Sequence, residues 1–138
     1  MQKFTACLAA AILLLTLKAP VADAQPTPQT QGGITFVSGG VAEDSEQAMN
    51  AIRSQYNLHL LFAQQGTGAY MADIPVQIID AAGTVVLNAV SAGPFFYARL
   101  QPGKYRVVAS HSGNAISRMA DVPAAGGSVD LNYYWTSD

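Results

Sequence analysis

Cysteine is almost missing from this chain of 138 residues. The single one, Cys7, lies inside an apolar N-terminal run, with too little apolar sequence before it to serve as a lipid-attachment cysteine. Disulfides and thiolate metal sites are therefore closed to the folded part, although an exported chain would have permitted disulfides. Charge is also scarce, at 12% of residues. With so few Lys and Arg there is no long surface for tracking phosphates, which argues against nucleic acid as a partner. Histidine occurs only at His59 and His111, neither in an H-E-x-x-H motif nor near a G-x-S-x-G motif. Gly39-Gly40 is followed by no Gly-Lys-Ser/Thr, so it reads as a turn and not as a phosphate loop.

What is present begins with a leader. Lys3 gives a small positive start, Phe4 to Leu17 is an apolar run, and Ala22-Asp23-Ala24 is an A-x-A cleavage site. These features predict a signal peptide over 1–24, cut after Ala24, and a periplasmic or secreted product. The run is short for a membrane span, so no span is expected in the mature chain. Removing residues 1–24 leaves five basic and eight acidic residues. The remaining chain, about 114 residues, suffices for one domain with an ordinary hydrophobic core.

Residues 25–33 are polar, Pro-rich and aperiodic, and read as a flexible leader. A short strand is expected over 34–38. Residues 44–56 carry Met49, Ile52 and Tyr56 on one helical stripe, with Asp44 placed to cap the helix. Leu58, Leu60 and Phe62 then alternate with His59 and Leu61, predicting a strand. The segment 34–68 thus reads as a helix-strand cap placed before an all-β body over 69–138. In that body short strands recur between turns, the pattern of a β-sandwich of about seven strands. Pro75 cannot donate to a ladder, so its strand is expected at an edge or with a bulge there. Val129, Leu131 and Tyr133 alternate with Asp130, Asn132 and Tyr134 in the last strand, giving it one buried face. Ser91 to Ser110 reads as two strands joined by a tight turn, with Pro102 and Gly103 at the central positions of a type II turn.

Val76-Gln-Ile-Ile-Asp-Ala-Ala-Gly83, Ser91-Ala-Gly-Pro-Phe95 and Leu100-Gln-Pro-Gly-Lys-Tyr-Arg-Val107 resemble the carboxypeptidase regulatory-like family over about residues 72–123. That resemblance implies a small transthyretin-like sandwich, also grouped with starch-binding-like folds, and a non-catalytic accessory role. The structural signature falls on Phe95, Leu100, Pro102, Gly103, Tyr105 and Val107. It also implies that Phe95, Tyr97, Leu100, Tyr105 and Val107 point inward, which strict alternation permits only with a bulge near Ala98.

If Pro102 and Gly103 are the central turn residues, Leu100 faces Tyr105 and Arg99 faces Arg106. Two like charges directly opposite destabilise a sheet, so Arg99 and Arg106 become candidates for binding an anion or carboxylate. Tyr134 and Trp135, with Tyr133, Phe95, Phe96 and Tyr97, are candidates for an aromatic binding platform. No catalytic residue, metal ligand or cofactor is expected. The reading is an exported, non-catalytic module docking on an unknown envelope or secreted protein. Its alternatives are carbohydrate binding through the aromatics, and a small metal-dependent or hydrolytic enzyme that would need His59 and His111 to converge.

Overall fold

The structure is a computed structural model describing residues 26–136. The expected leader and its cleavage site lie outside the described residues. Two sheets pack face to face with a helix on the outside of one, making a β-sandwich of three layers. The first sheet runs β1 (Gln29–Gln31), β2 (Ile34–Gly39), β6 (Phe95–Arg99), β3 (Leu58–Gln64) and β9 (Val129–Trp135). All its pairs are antiparallel except β3 with β9, which are parallel. The second sheet is antiparallel throughout, in the order β5 (Val85–Ser91), β4 (Ile74–Asp80), β7 (Gly103–His111), β8 (Asn114–Val122).

Alternation decides which residues fill the space between the sheets. Leu58, Leu60 and Phe62 of β3, Ile74, Val76 and Ile78 of β4, and Tyr133 and Trp135 of β9 all enter one buried cluster. A second, smaller cluster forms on the outer face of the first sheet, where Met49 of α1 (Glu43–Ile52) covers Val37, Tyr56 and Tyr97. The helical stripe places Met49 inward and leaves Ile52 half-buried beside it. A 3-10 turn, Arg53–Gln55, then leads into β3.

Several expectations change. Residues 34–68 do not cap the sandwich; β2 and β3 are strands of its first sheet, and β3 lies between β6 and β9. Part of the supposed flexible leader is strand β1, turned back onto β2 by Gly32 and Gly33, both at positive φ. Asp44 sits inside the first turn of α1 and does not cap it; the N-cap residue is Ala42, with no side-chain bond. β4 is an inner strand, but its ladder with β7 begins at Val76, so Pro75 has β5 as its only neighbour. The bulge falls at Ile78/Ile79 instead.

The largest correction concerns Ser91 to Ser110. β6 and β7 are not paired: Pro102-Gly103 carries the chain from the first sheet to the second. Gly103 has φ 150°, far from the value of about +80° at the second central position of a type II turn. The connection is an arch, held by Asn57. Its side-chain amide donates to Leu100 O and accepts from Leu100 N, both at 2.8 Å, as a neighbouring strand would. No bulge at Ala98 is needed. β6 keeps unbroken register with β2 and β3, sending Phe96 and Ala98 to the inter-sheet core with Leu100 after them. Phe95 and Tyr97 face the helix, contrary to the inward line that the resemblance implies.

Candidate functional site: an open sheet edge and an outer-face polar cluster

Arg99 and Arg106 are not opposite one another. Arg99 pairs with Thr35 across β2, on the face that carries α1. Its Nε and Nη2 donate to Gln55 O at 3.0 and 2.9 Å, and its guanidinium stacks 5.1 Å from the centre of the Tyr56 ring. Arg106 lies between Ile79 and Met119 in the second sheet, exposed, while its neighbours Tyr105 and Val107 turn toward the core. The like-charge pair is thus absent, and with it the reason for an anion between the two.

The aromatics also separate. Trp135 is only 4% exposed, packs against Phe62 and Tyr133, and donates Nε1–H to Asn114 O at 2.9 Å. Tyr133 is fully buried and donates to Val107 O at 2.8 Å. Burial pushes its hydroxyl pKa well up, against the opposing pull of Arg118 over its ring. Phe96 stacks on Phe36 in the same core, and Tyr97 lies under the helix. Tyr134 alone of the two terminal candidates is exposed, on the outer face of β9. His59 and His111 lie in different sheets. His111 packs beside Trp135.

Two features emerge that the sequence reading did not single out. The first is the outer edge of β8. Ser112 and Gly113, with φ 51° and 80°, form the two-residue turn between β7 and β8. Positive φ at both central positions is the type I′ geometry, which makes the flanking pair, His111 and Asn114, a hydrogen-bonded one. Pairs alternate from there, so Ala115, Ser117, Met119 and Asp121 direct their backbone N–H and C=O away from β7. These residues are also exposed, with Met119 at 64%. The opposite edge of that sheet is treated differently: the Gln31 amide accepts from Asn88 N at 2.8 Å and donates to Asn88 O at 3.1 Å, occupying β5 as a strand would. Edge strands left open in this way are templates for another chain.

The second feature is a polar row across the first sheet. Tyr97, His59 and Asp130 are cross-strand neighbours on β6, β3 and β9. His59 Nδ1 lies 2.6 Å from Asp130 Oδ1 and its Nε2 lies 2.8 Å from Arg53 O. Arg53 Nη2 donates to Asp130 Oδ2 at 2.6 Å, so the end of the helix is fastened to the sheet. The imidazole is thus held from both sides, by the Asp130 carboxylate and by the Arg53 carbonyl. With both nitrogens engaged and the ring 5% exposed, His59 fixes structure here. Asp130 appeared in the sequence only as the polar half of an alternation. Its partners depend on the register of β3 with β9, which no local pattern encodes.

No family model matches the chain, and no curated protein is similar enough to match it. Among the described residues no helix is long and apolar enough to cross a membrane.

Proposed function

We propose that this chain is an exported, non-catalytic binding module, periplasmic or secreted, that docks on an envelope or secreted protein partner by adding a strand of the partner to β8. The observation that carries the reading is the nine-residue edge of β8, whose outward amides at 115, 117, 119 and 121 have no neighbouring strand among the described residues. Main-chain bonds along such an edge supply affinity, and alternate side chains supply selectivity. Met119 and Ser117 would meet the partner on one face, Ile116 and Arg118 on the other. The resemblance of Leu100-Gln-Pro-Gly-Lys-Tyr-Arg-Val107 to carboxypeptidase regulatory-like domains, which are typically non-catalytic accessories, supports the same role. Carbohydrate binding has less support, since Trp135 is in the core and Tyr134 has no aromatic neighbour at the surface among the ring pairs described.

The test is Ser117→Pro. Proline removes an outward N–H without touching a bond to β7, and edge strands accept it at such positions. A photocrosslinking residue at position 119 should trap one envelope protein at β8, and Ser117→Pro should abolish both trapping and co-purification while the thermal midpoint stays within a few degrees. Recovery of the same protein unchanged by Ser117→Pro would remove strand addition from the account.

A further inference from the structure

The outer edge of β8 has a sequence that fits a second copy of itself. Its ladder with β7 runs without a shift from Gly103 opposite Val122 to His111 opposite Asn114, so no bulge turns the edge away. The strand also holds neither proline nor lysine, residues that ordinarily blunt an open edge. Its only charges, Arg118 and Asp121, are of opposite sign.

Two antiparallel copies related by a two-fold axis pair about one central residue, and that centre fixes every other contact. Full overlap, centred on Arg118, sets two guanidinium groups against each other. A centre at Ser117 sets Arg118 against Ile116, and centres at Ile116 or Ala120 pair only short stretches. A centre at Met119 avoids all of this. Ile116 then meets Val122 of the second copy, Arg118 meets Ala120, Ser117 meets Asp121, and Met119 meets its own equivalent. Apolar side chains face each other at Ile116 and at Met119, the Ser117 hydroxyl faces a carboxylate, and no like charges stand opposite. The two Arg118 lie on a diagonal, but each guanidinium is turned back over the Tyr133 ring of its own chain, 5.5 Å from the ring centre. The outward amides at 117, 119 and 121 all meet outward amides of the second copy, making about six main-chain bonds. The far edge of the same sheet offers no such match, because Gln31 occupies Asn88 there.

We propose that free chains pair through β8 into a two-fold dimer, antiparallel and centred on Met119, in which the two second sheets become one continuous sheet. This inference rests on the reading of β8 as an edge open to strand addition, and it adds a control on that edge: the envelope partner has to displace the second copy.

Light scattering of the purified chain from about 1 µM to 1 mM should show the mass rising from one chain to two. Met119→Lys and Met119→Glu each set like charges across the axis and should weaken the dimer about three- to tenfold. Met119 is 64% exposed, so both variants keep the fold. Mixing them should restore a dimer with one chain of each, which only a residue facing its own equivalent allows. Ser117→Pro should weaken pairing at least about tenfold, since position 117 is used twice in each dimer. A chain that stays monomeric over the whole range, a dimer indifferent to Ser117→Pro, or a mixture no tighter than either Met119 variant alone would each overturn the pairing. Trapping of an envelope protein at β8 by a chain that never dimerises would overturn the pairing and leave the docking role standing. A dimer centred on Met119 whose envelope partner is recovered unchanged by Ser117→Pro would do the reverse.

Discussion

Asn57 is the residue whose removal should do most damage for its size. It is half-buried and its side chain makes two bonds of 2.8 Å to the backbone of Leu100, just before the arch between the sheets. Asn57→Ala strips both partners from the N–H and C=O of a residue that is 4% exposed. Leaving a buried backbone group unsatisfied costs about 1–3 kcal/mol each, and water entering from the half-exposed side recovers part of that. A net loss of about 2–3 kcal/mol follows, which for a domain of this size lowers the thermal midpoint by roughly 10 °C or more. Urea unfolding followed by Trp135 fluorescence measures it, since that ring is buried in the core. Asn57→Asp is the informative companion. It keeps an acceptor for Leu100 N but sets a carboxylate against Leu100 O, so it should be at least as destabilising as alanine at neutral pH and recover somewhat in acid. A change below about 0.5 kcal/mol in Asn57→Ala, the range of ordinary surface substitutions, would refute the idea that this amide holds the arch.

Other consequences can be measured on the same chain. At Gly93, an added Cβ would stand 2.4 Å from Gly39 O and 2.5 Å from Gly39 C; Gly93→Ala should therefore cost about 2–4 kcal/mol, as backbone rather than a flexible side chain must move. Asp130→Ala leaves His59 and Arg53 without their shared partner and should cost about 1–2 kcal/mol, discounted for the half-exposed carboxylate; hydrogen exchange should accelerate first in α1. Tyr133 and Tyr97 both have hydroxyl pKa values raised by burial. Their neutral forms are favoured in the fold, so stability is full below about pH 10 and falls above it, by about 1.4 kcal/mol per pH unit for Tyr133, whose shift is large, with Tyr97 acting in the same direction. Tyr133→Phe should flatten that alkaline decline by one tyrosine's share in chemical unfolding at pH 9 to 11, while costing about 1 kcal/mol at pH 7 through the lost bond to Val107 O.

The strands were legible because alternation is local: Leu58, Leu60 and Phe62 declare a buried face within five residues, and Val129 to Trp135 do the same. What proved illegible was which strands meet. Pro102-Gly103 looks the same in sequence whether it folds a hairpin or carries the chain across to another sheet. The choice rests on Asn57, which lies 43 positions before Leu100. Parity at Phe95 and Tyr97 already favoured the outer face, and the resemblance argued against it; alternation prevailed because α1 supplies an apolar cover there. Trp135 carried no mark to separate core from surface, since an aromatic at that parity suits either. The polar row of Tyr97, His59 and Asp130 needed two registers at once, β6 with β3 and β3 with β9. Arg53, Tyr97 and Asp130 therefore could not be grouped from the sequence.

The parallel pairing of β3 with β9 sets an order of events. Leu58 meets Val129 and Gln64 meets Trp135, so one inner strand of the first sheet waits for a segment 71 positions further along. Until that segment arrives, one side of β3 is an open edge and Phe62 lacks the rings of Tyr133 and Trp135. Pairings of such long sequence separation form late and slowly. A nascent chain therefore has no route to the finished sandwich before β9 is released, and without β9 the edge of the first sheet moves inward to β3 and leaves Phe62 without its ring partners.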